Sequence, residues 1–118
     1  MKYICLIFDS EANAATTPEA QEAEIGAYMA FGQKIQEDGV ATGIGEALQP
    51  TSTATTVRVR EGKTLTTDGP FAETKEQLGG FYILDCEDID QVIKYAAMIP
   101  GAKQGCVEIR PLIVFDFN

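Results

Sequence analysis

The chain opens on Met1-Lys2-Tyr3-Ile4-Cys5-Leu6-Ile7-Phe8 before Asp9, an apolar run that reads as a buried first strand. Ser10 to Thr17 is small and polar and ends in Thr17-Pro18-Glu19, which has a capping threonine, a proline at the first helical position and an acid in the first turn. The helix so begun is predicted to reach about Asp38, where Gly39 stops it. Its apolar stripe is Ile25, Tyr28, Gly32 and Ile35 with Phe31 beside them, while Glu22, Glu24, Lys34 and Glu37 fall mostly outside. Val40 to Gly43 returns as a short strand, and Gly43 to Ala54, rich in Gly, Pro, Ser and Thr, reads as a loop.

Thr55 to Arg60 alternates and is β-branched, Glu61-Gly62 can turn, and Lys63 to Thr67 comes back as a hairpin. From Pro70 or Phe71 a short helix is expected through Leu78, stopped by Gly79-Gly80, followed by a buried strand from Phe81 to Asp85. Asp88 caps a second helix whose stripe is Ile89, Val92, Ile93, Ala96 and Ile99, ended by Pro100-Gly101. Cys106 to Ile109 is the last strand, and Leu112 to Phe117 an apolar tail. Strand, helix, strand thus occurs twice around an inserted hairpin. Two such units sharing one sheet make a ferredoxin-like α+β sandwich of split βαβ type. Two helices cover one sheet face, so a second copy is expected on the other, giving a homodimer of dimeric α+β barrel type.

At 118 residues the chain suits a single domain over 1–118. Its net charge of −9 disfavours nucleic acid and an anionic membrane surface, both of which attract bases. The first apolar run is too short for a signal peptide, and no stretch approaches the roughly 20 residues that span a bilayer, so a cytoplasmic protein is expected. Cys5, Cys86 and Cys106 are odd in number, widely spaced and close to predicted strands, which reads as reduced, buried thiols. With no Cys-x-x-Cys pair and no histidine, a metal site is not expected. Gly43-Ile44-Gly45 lacks the third glycine and following helix of a dinucleotide site, no phosphate-cradling Gly-Lys-Ser/Thr occurs, and no cofactor is expected.

The most specified stretch is Asp68-Gly69-Pro70-Phe71-Ala72-Glu73-Thr74-Lys75-Glu76, closed by Gly79-Gly80-Phe81-Tyr82. A turn aspartate usually folds onto the amide two residues on, but that residue is Pro70, which has no N–H. This run, with Met1-Lys2-Tyr3, Gly43-Ile44-Gly45, Thr55-Thr56-Val57-Arg58 and Val107-Glu108-Ile109-Arg110-Pro111-Leu112, resembles the small bacterial proteins of the DGPF (DGPFAETKE) family in the YCII-related superfamily. The resemblance covers nearly the whole chain. It implies the ferredoxin-like dimer and a suspected enzyme of largely unassigned role, with an aspartate in its catalytic apparatus. Many YCII-related proteins are suspected of pairing that aspartate with a histidine. By spacing to the glycine that ends the first helix, Tyr28 falls near where it would be.

Several residues can carry chemistry. Asp68 is a candidate general acid or base at the mouth of a pocket, or alternatively an N-cap bonding the Phe71 amide. Thr56, Arg58 and Arg60 share a strand face; Arg58 suits a carboxylate of a substrate or Asp68, or else keeps a solvated hairpin soluble. Glu73 is a weaker candidate beside Asp68, where two carboxylates can divide acid and base work, and with Glu76 it equally fits an exposed helix. Glu108 and Arg110 point away from the helices as an ion pair or a binding arginine. The expected site is lined by Asp68, Arg58, Thr56, Phe71 and Tyr28. It would take a small anionic or phenolic compound through lyase- or isomerase-like proton transfer without histidine. A non-catalytic ligand-binding or interaction module, or a purely structural motif, are the other readings.

Overall fold

A computed structural model of the chain describes residues 1–116. Its elements run β1 (Lys2–Asp9), α1 (Pro18–Glu37), β2 (Ala41–Ala47), β3 (Thr55–Arg60), β4 (Lys63–Asp68), β5 (Gln77–Asp85), α2 (Ile89–Ala96) and β6 (Cys106–Pro111), with single 3-10 turns at Glu11–Asn13, Thr51–Thr53 and Pro100–Lys103. Four strands form an antiparallel sheet in the order β2-β5-β1-β6, while β3 and β4 pair only with each other. Strands β1 and β2 flank β5, and β5 and β6 flank β1, so each helix joins two strands that run the same way with one between them. This is the ferredoxin-like α+β arrangement, with the hairpin inserted between its second and third sheet strands.

Alternation in β1 decides which face is core. Tyr3, Cys5 and Ile7 are buried, and opposite them in register stand Leu84, Tyr82 and Gly80 of β5 and Pro111, Ile109 and Val107 of β6. Phe31 and Ile35 of α1 and Val92, Tyr95 and Ala96 of α2 close on that face, with Ile99 behind them. Leu84, Ile99 and Val92 are fully buried, each contributing about 1.5–3 kcal/mol by removal from water. Two caps start the helices where their side chains allow: Thr17 Oγ1 accepts the Ala20 N–H at 3.1 Å and Asp88 Oδ1 that of Gln91 at 2.9 Å. The other sheet face, with Ile4, Leu6, Phe8, Phe81 and Ile83, is only half-buried and carries no helix.

Several elements differ from expectation. No helix forms over Pro70 to Leu78: the stretch is an irregular loop pinned by Gln77 Nε2 donating to the Thr74 carbonyl and the Thr74 hydroxyl to the Glu76 carbonyl, and β5 begins at Gln77. Strand β2 continues to Ala47 through an irregularity between Ala41 and Gly45. Helix α2 ends at Ala96, and Ile89 and Ile93 are exposed while Tyr95 is buried, so its core stripe is rotated from the apolar pattern. Ile25 of α1 is also exposed. Ile113 and Val114 of the tail are exposed and outside any strand, and Phe117 lies outside the described residues. Of the cysteines, Cys5 and Cys86 are buried but Cys106 is exposed.

Candidate functional site

The hairpin delivers the Asp68 loop. Glu61 and Gly62 both hold positive φ, 51° and 76°, the two-residue turn whose twist matches its strands, and Thr56 stands opposite Thr67 and Thr55 opposite Asp68. At the foot of the hairpin the Gly69 N–H donates to the Ala54 carbonyl at 2.7 Å and the Thr56 hydroxyl to the Gly69 carbonyl at 2.8 Å. Gly69 takes a φ of 100°, open to glycine and strained for other residues. The chain therefore turns sharply after Asp68. Among the described residues no group bonds the Asp68 carboxylate, which is exposed; with no helix after it, the side chain is not a cap.

Beyond the turn, Pro70, Ala72, Glu73, Thr74 and Gln77 join Thr51 around an open cleft of about 230 Å³. Distant parts of the chain hold its wall. Glu11 Oε1 accepts the Thr51 N–H at 2.9 Å, and the Glu11 N–H donates to Gln77 Oε1 at 2.9 Å. The Thr51 bond keeps the Glu11 carboxyl below the usual glutamate range. Phe71, between two lining residues, is 78% exposed.

Tyr28 lies at the same end of the sheet, on the helix side. Asp9 pairs with Gln77 across β1 and β5, and the Glu24 and then the Asp9 carboxylate add to a rise of the Tyr28 phenol. Burial is the main cause of that rise, and the Gly101 N–H, donating to the Tyr28 hydroxyl at 3.2 Å, opposes it. Tyr82 is raised too, by burial and then by Tyr28. Both phenols stay protonated at neutral pH.

The expected site residues are thus distributed. Glu73 lines the cleft, Phe71 lies in the same loop, Asp68 precedes that loop without lining the cleft, and Thr56 braces the turn. Arg58 is held out along the hairpin opposite Leu65, exposed, without a hydrogen bond or ion pair among the described residues, and it does not reach Asp68 in the same chain. Glu108 pairs with Arg110 at 2.9 Å on the open sheet face. Glu11, Thr51 and Gln77 were not singled out by sequence, since their contacts join residues 40 and 66 positions apart. A second cleft of about 210 Å³, lined in part by Gly32, Ile35, Thr42, Ile44 and Tyr82, opens between α1 and the irregular part of β2. Among the described residues no cluster of three or more His, Cys, Asp or Glu could hold a metal ion, and no helix is long and apolar enough to cross a membrane.

Comparison with known proteins adds three findings. "Uncharacterized protein R00369" of Rhizobium meliloti (strain 1021) is 36% identical over 118 residues, covering 98% of this chain and 94% of that protein. Among solved structures, 5-chloro-2-hydroxyhydroquinone dehydrochlorinase (TftG) from Burkholderia phenoliruptrix AC1100, in complex with 2,5-dihydroxybenzoquinone, superimposes with a TM-score of 0.50 at 14% identity, covering 96% of this chain and 94% of that one. That likeness is one of fold. The YCII-related domain family matches residues 1–116, and the chain belongs to that family.

Proposed function

We propose that this chain is a cytoplasmic homodimer of the DGPF branch of its family, with a small-molecule site at the Asp-Gly-Pro-Phe loop. That site performs proton-transfer chemistry of lyase or isomerase type on a small anionic or phenolic compound. One observation carries the reading: the fold turns the chain sharply at Gly69 and leaves the Asp68 carboxylate exposed and without a partner among the described residues, two positions before Pro70, which with Glu73 lines a cleft. A carboxylate that no local amide rewards is free to exchange a proton with a ligand. The cleft's 230 Å³ exceeds the about 150 Å³ known to admit one benzene ring. In the lyase form, the carboxylate takes a proton from the substrate, the electron pair left behind forms the new double bond, and the leaving group departs with its own pair. The proton then passes to water. The fold neighbour's hydroxylated quinone ligand makes such rings the first compounds to try.

Phe71 is 78% exposed and the cleft is open in one chain, which favours a second reading, a ligand-binding or interaction module without catalysis. Titrating 15N-labelled protein with hydroxylated quinones and benzoates separates the two. Saturable amide shifts over Asp68 to Gln77, with turnover that Asp68→Asn lowers at least a hundredfold, support the acid-base reading. Binding without turnover supports the module, and no saturable binding overturns both.

A further inference from the structure

The hairpin stands apart from its own body. Both faces of β3 and β4 are exposed, Thr56 excepted, and Val57 and Val59 are 58% and 59% exposed. Two-stranded ribbons of this length are at best marginally stable alone in water, so this one needs a surface to lie on. The whole chain measures 52 × 48 × 20 Å with a radius of gyration of 16.5 Å, against about 13.5 Å for a compact domain of its length. Its accessible surface, 8646 Å², exceeds by roughly 2,300 Å² what a folded monomer of 12.8 kDa exposes. An excess of that size on each chain is on the scale that obligate homodimers bury.

Charge says where the arm goes. Three of the chain's nine bases, Arg58, Arg60 and Lys63, lie on one face of the hairpin with Leu65, although the chain as a whole carries −9. Among the six residues lining the cleft that follows the Asp68 turn, the charged one is Glu73; Lys75 and Glu76 follow it in the same loop, and Asp68 to Gln77 keeps three acids against that one base. An acid-base site for an anionic or phenolic compound needs a cation to hold the charge, and this lining provides none.

We infer that the hairpin of each protomer lies across the Asp-Gly-Pro-Phe cleft of a second copy and supplies Arg58 and Arg60 to it, so that each site is completed in trans. This rests on the homodimeric reading above. Two-fold symmetry makes the exchange mutual: the arm that leaves one cleft reaches the other, and the arm of the second copy returns. The arginines then do in the partner what the geometry of one chain denies them, neutralising the cleft carboxylates and binding the anionic part of the ligand in bidentate fashion.

Charge reversal on the full chain tests this by analytical ultracentrifugation. Arg58→Glu with Arg60→Glu makes one variant, and Glu73→Lys with Glu76→Lys the other; all four positions are exposed, so the fold is kept. Each variant alone is expected to dimerise at least tenfold more weakly than wild type. An equimolar mixture is expected to regain wild-type association as heterodimers, because each arm again meets a cleft of opposite charge. A wild-type dimer indifferent to the arm variant overturns the trans arm and leaves the homodimer standing. Variants that weaken alone but do not complement place the arm elsewhere on the partner and also overturn it. A monomeric wild type overturns the arm and the homodimer together, while ligand binding by that monomer would leave the small-molecule site intact.

Discussion

Glu11 Oε1 holds the backbone N–H of Thr51 at 2.9 Å across 40 residues of chain, and this bond fixes the wall of the cleft that Thr51 shares with Glu73. The charged carboxylate is the better acceptor, so its proton affinity is lowered. The bond's contribution is therefore present above the ordinary glutamate pKa and is lost as pH falls through the lower folded value. The Thr51 amide proton is expected to titrate in NMR with a midpoint below that of a free glutamate. Glu11→Ala should abolish the titration and speed hydrogen exchange at Thr51.

Asp68 and Asp88 are expected to respond oppositely to the same change. Asp88 caps α2 through the Gln91 N–H, and Asp88→Ala should cost about 1 kcal/mol. Asp68 has no partner among the described residues, and Asp68→Ala should leave stability within about 0.5 kcal/mol of wild type. Chemical denaturation at fixed protein concentration checks both, and a loss near that of the Asp88 variant would make Asp68 a structural residue.

Tyr95 ties the two helices together by donating to Asp38 Oδ2 at 2.7 Å, with Lys34 3.2 Å from the same oxygen. The bond raises the Tyr95 phenol and, with Lys34, lowers the Asp38 carboxyl. For the raised phenol, stability is present below the unfolded tyrosine pKa of about 10 and lost above the folded value. For the lowered carboxyl it is present above about 3.9 and lost as pH falls through the folded value. Tyr95→Phe should thus lower the melting midpoint across neutral pH, with the gap from wild type closing toward both extremes.

Thiol reactivity should follow burial. Desolvation pushes Cys5 up to about 11 and raises Cys86 as well, while Cys106 is exposed on the open sheet face. A disulfide reagent at neutral pH is expected to modify one thiol per native chain, Cys106, and three after unfolding. If the sheet faces pack together in the homodimer, that single reaction should slow as protein concentration rises.

Leu84 is fully buried at the centre of the core, and Leu84→Ala should cost about 3 kcal/mol. The thermal midpoint measures it.

By itself the sequence determined what local physics controls. The apolar run of β1, the caps at Thr17 and Asp88, the two-residue turn at Glu61-Gly62 and the register that follows from it all depend on residues a few positions apart, and together they imply the ferredoxin-like order. Tertiary structure decided the rest. Pro70 to Leu78 carries helix-compatible residues, yet Gln77 is engaged by Glu11 and Thr74, and a loop results. Ile89 and Ile93 sit on an apolar stripe but remain exposed, because α2 turns Val92, Tyr95 and Ala96 into the core cluster that also holds Leu84 and Ile35. Arg58 and Asp68 lie ten positions apart on one hairpin, and only the antiparallel ladder shows that the arginine stands opposite Leu65, out along the arm and away from Asp68.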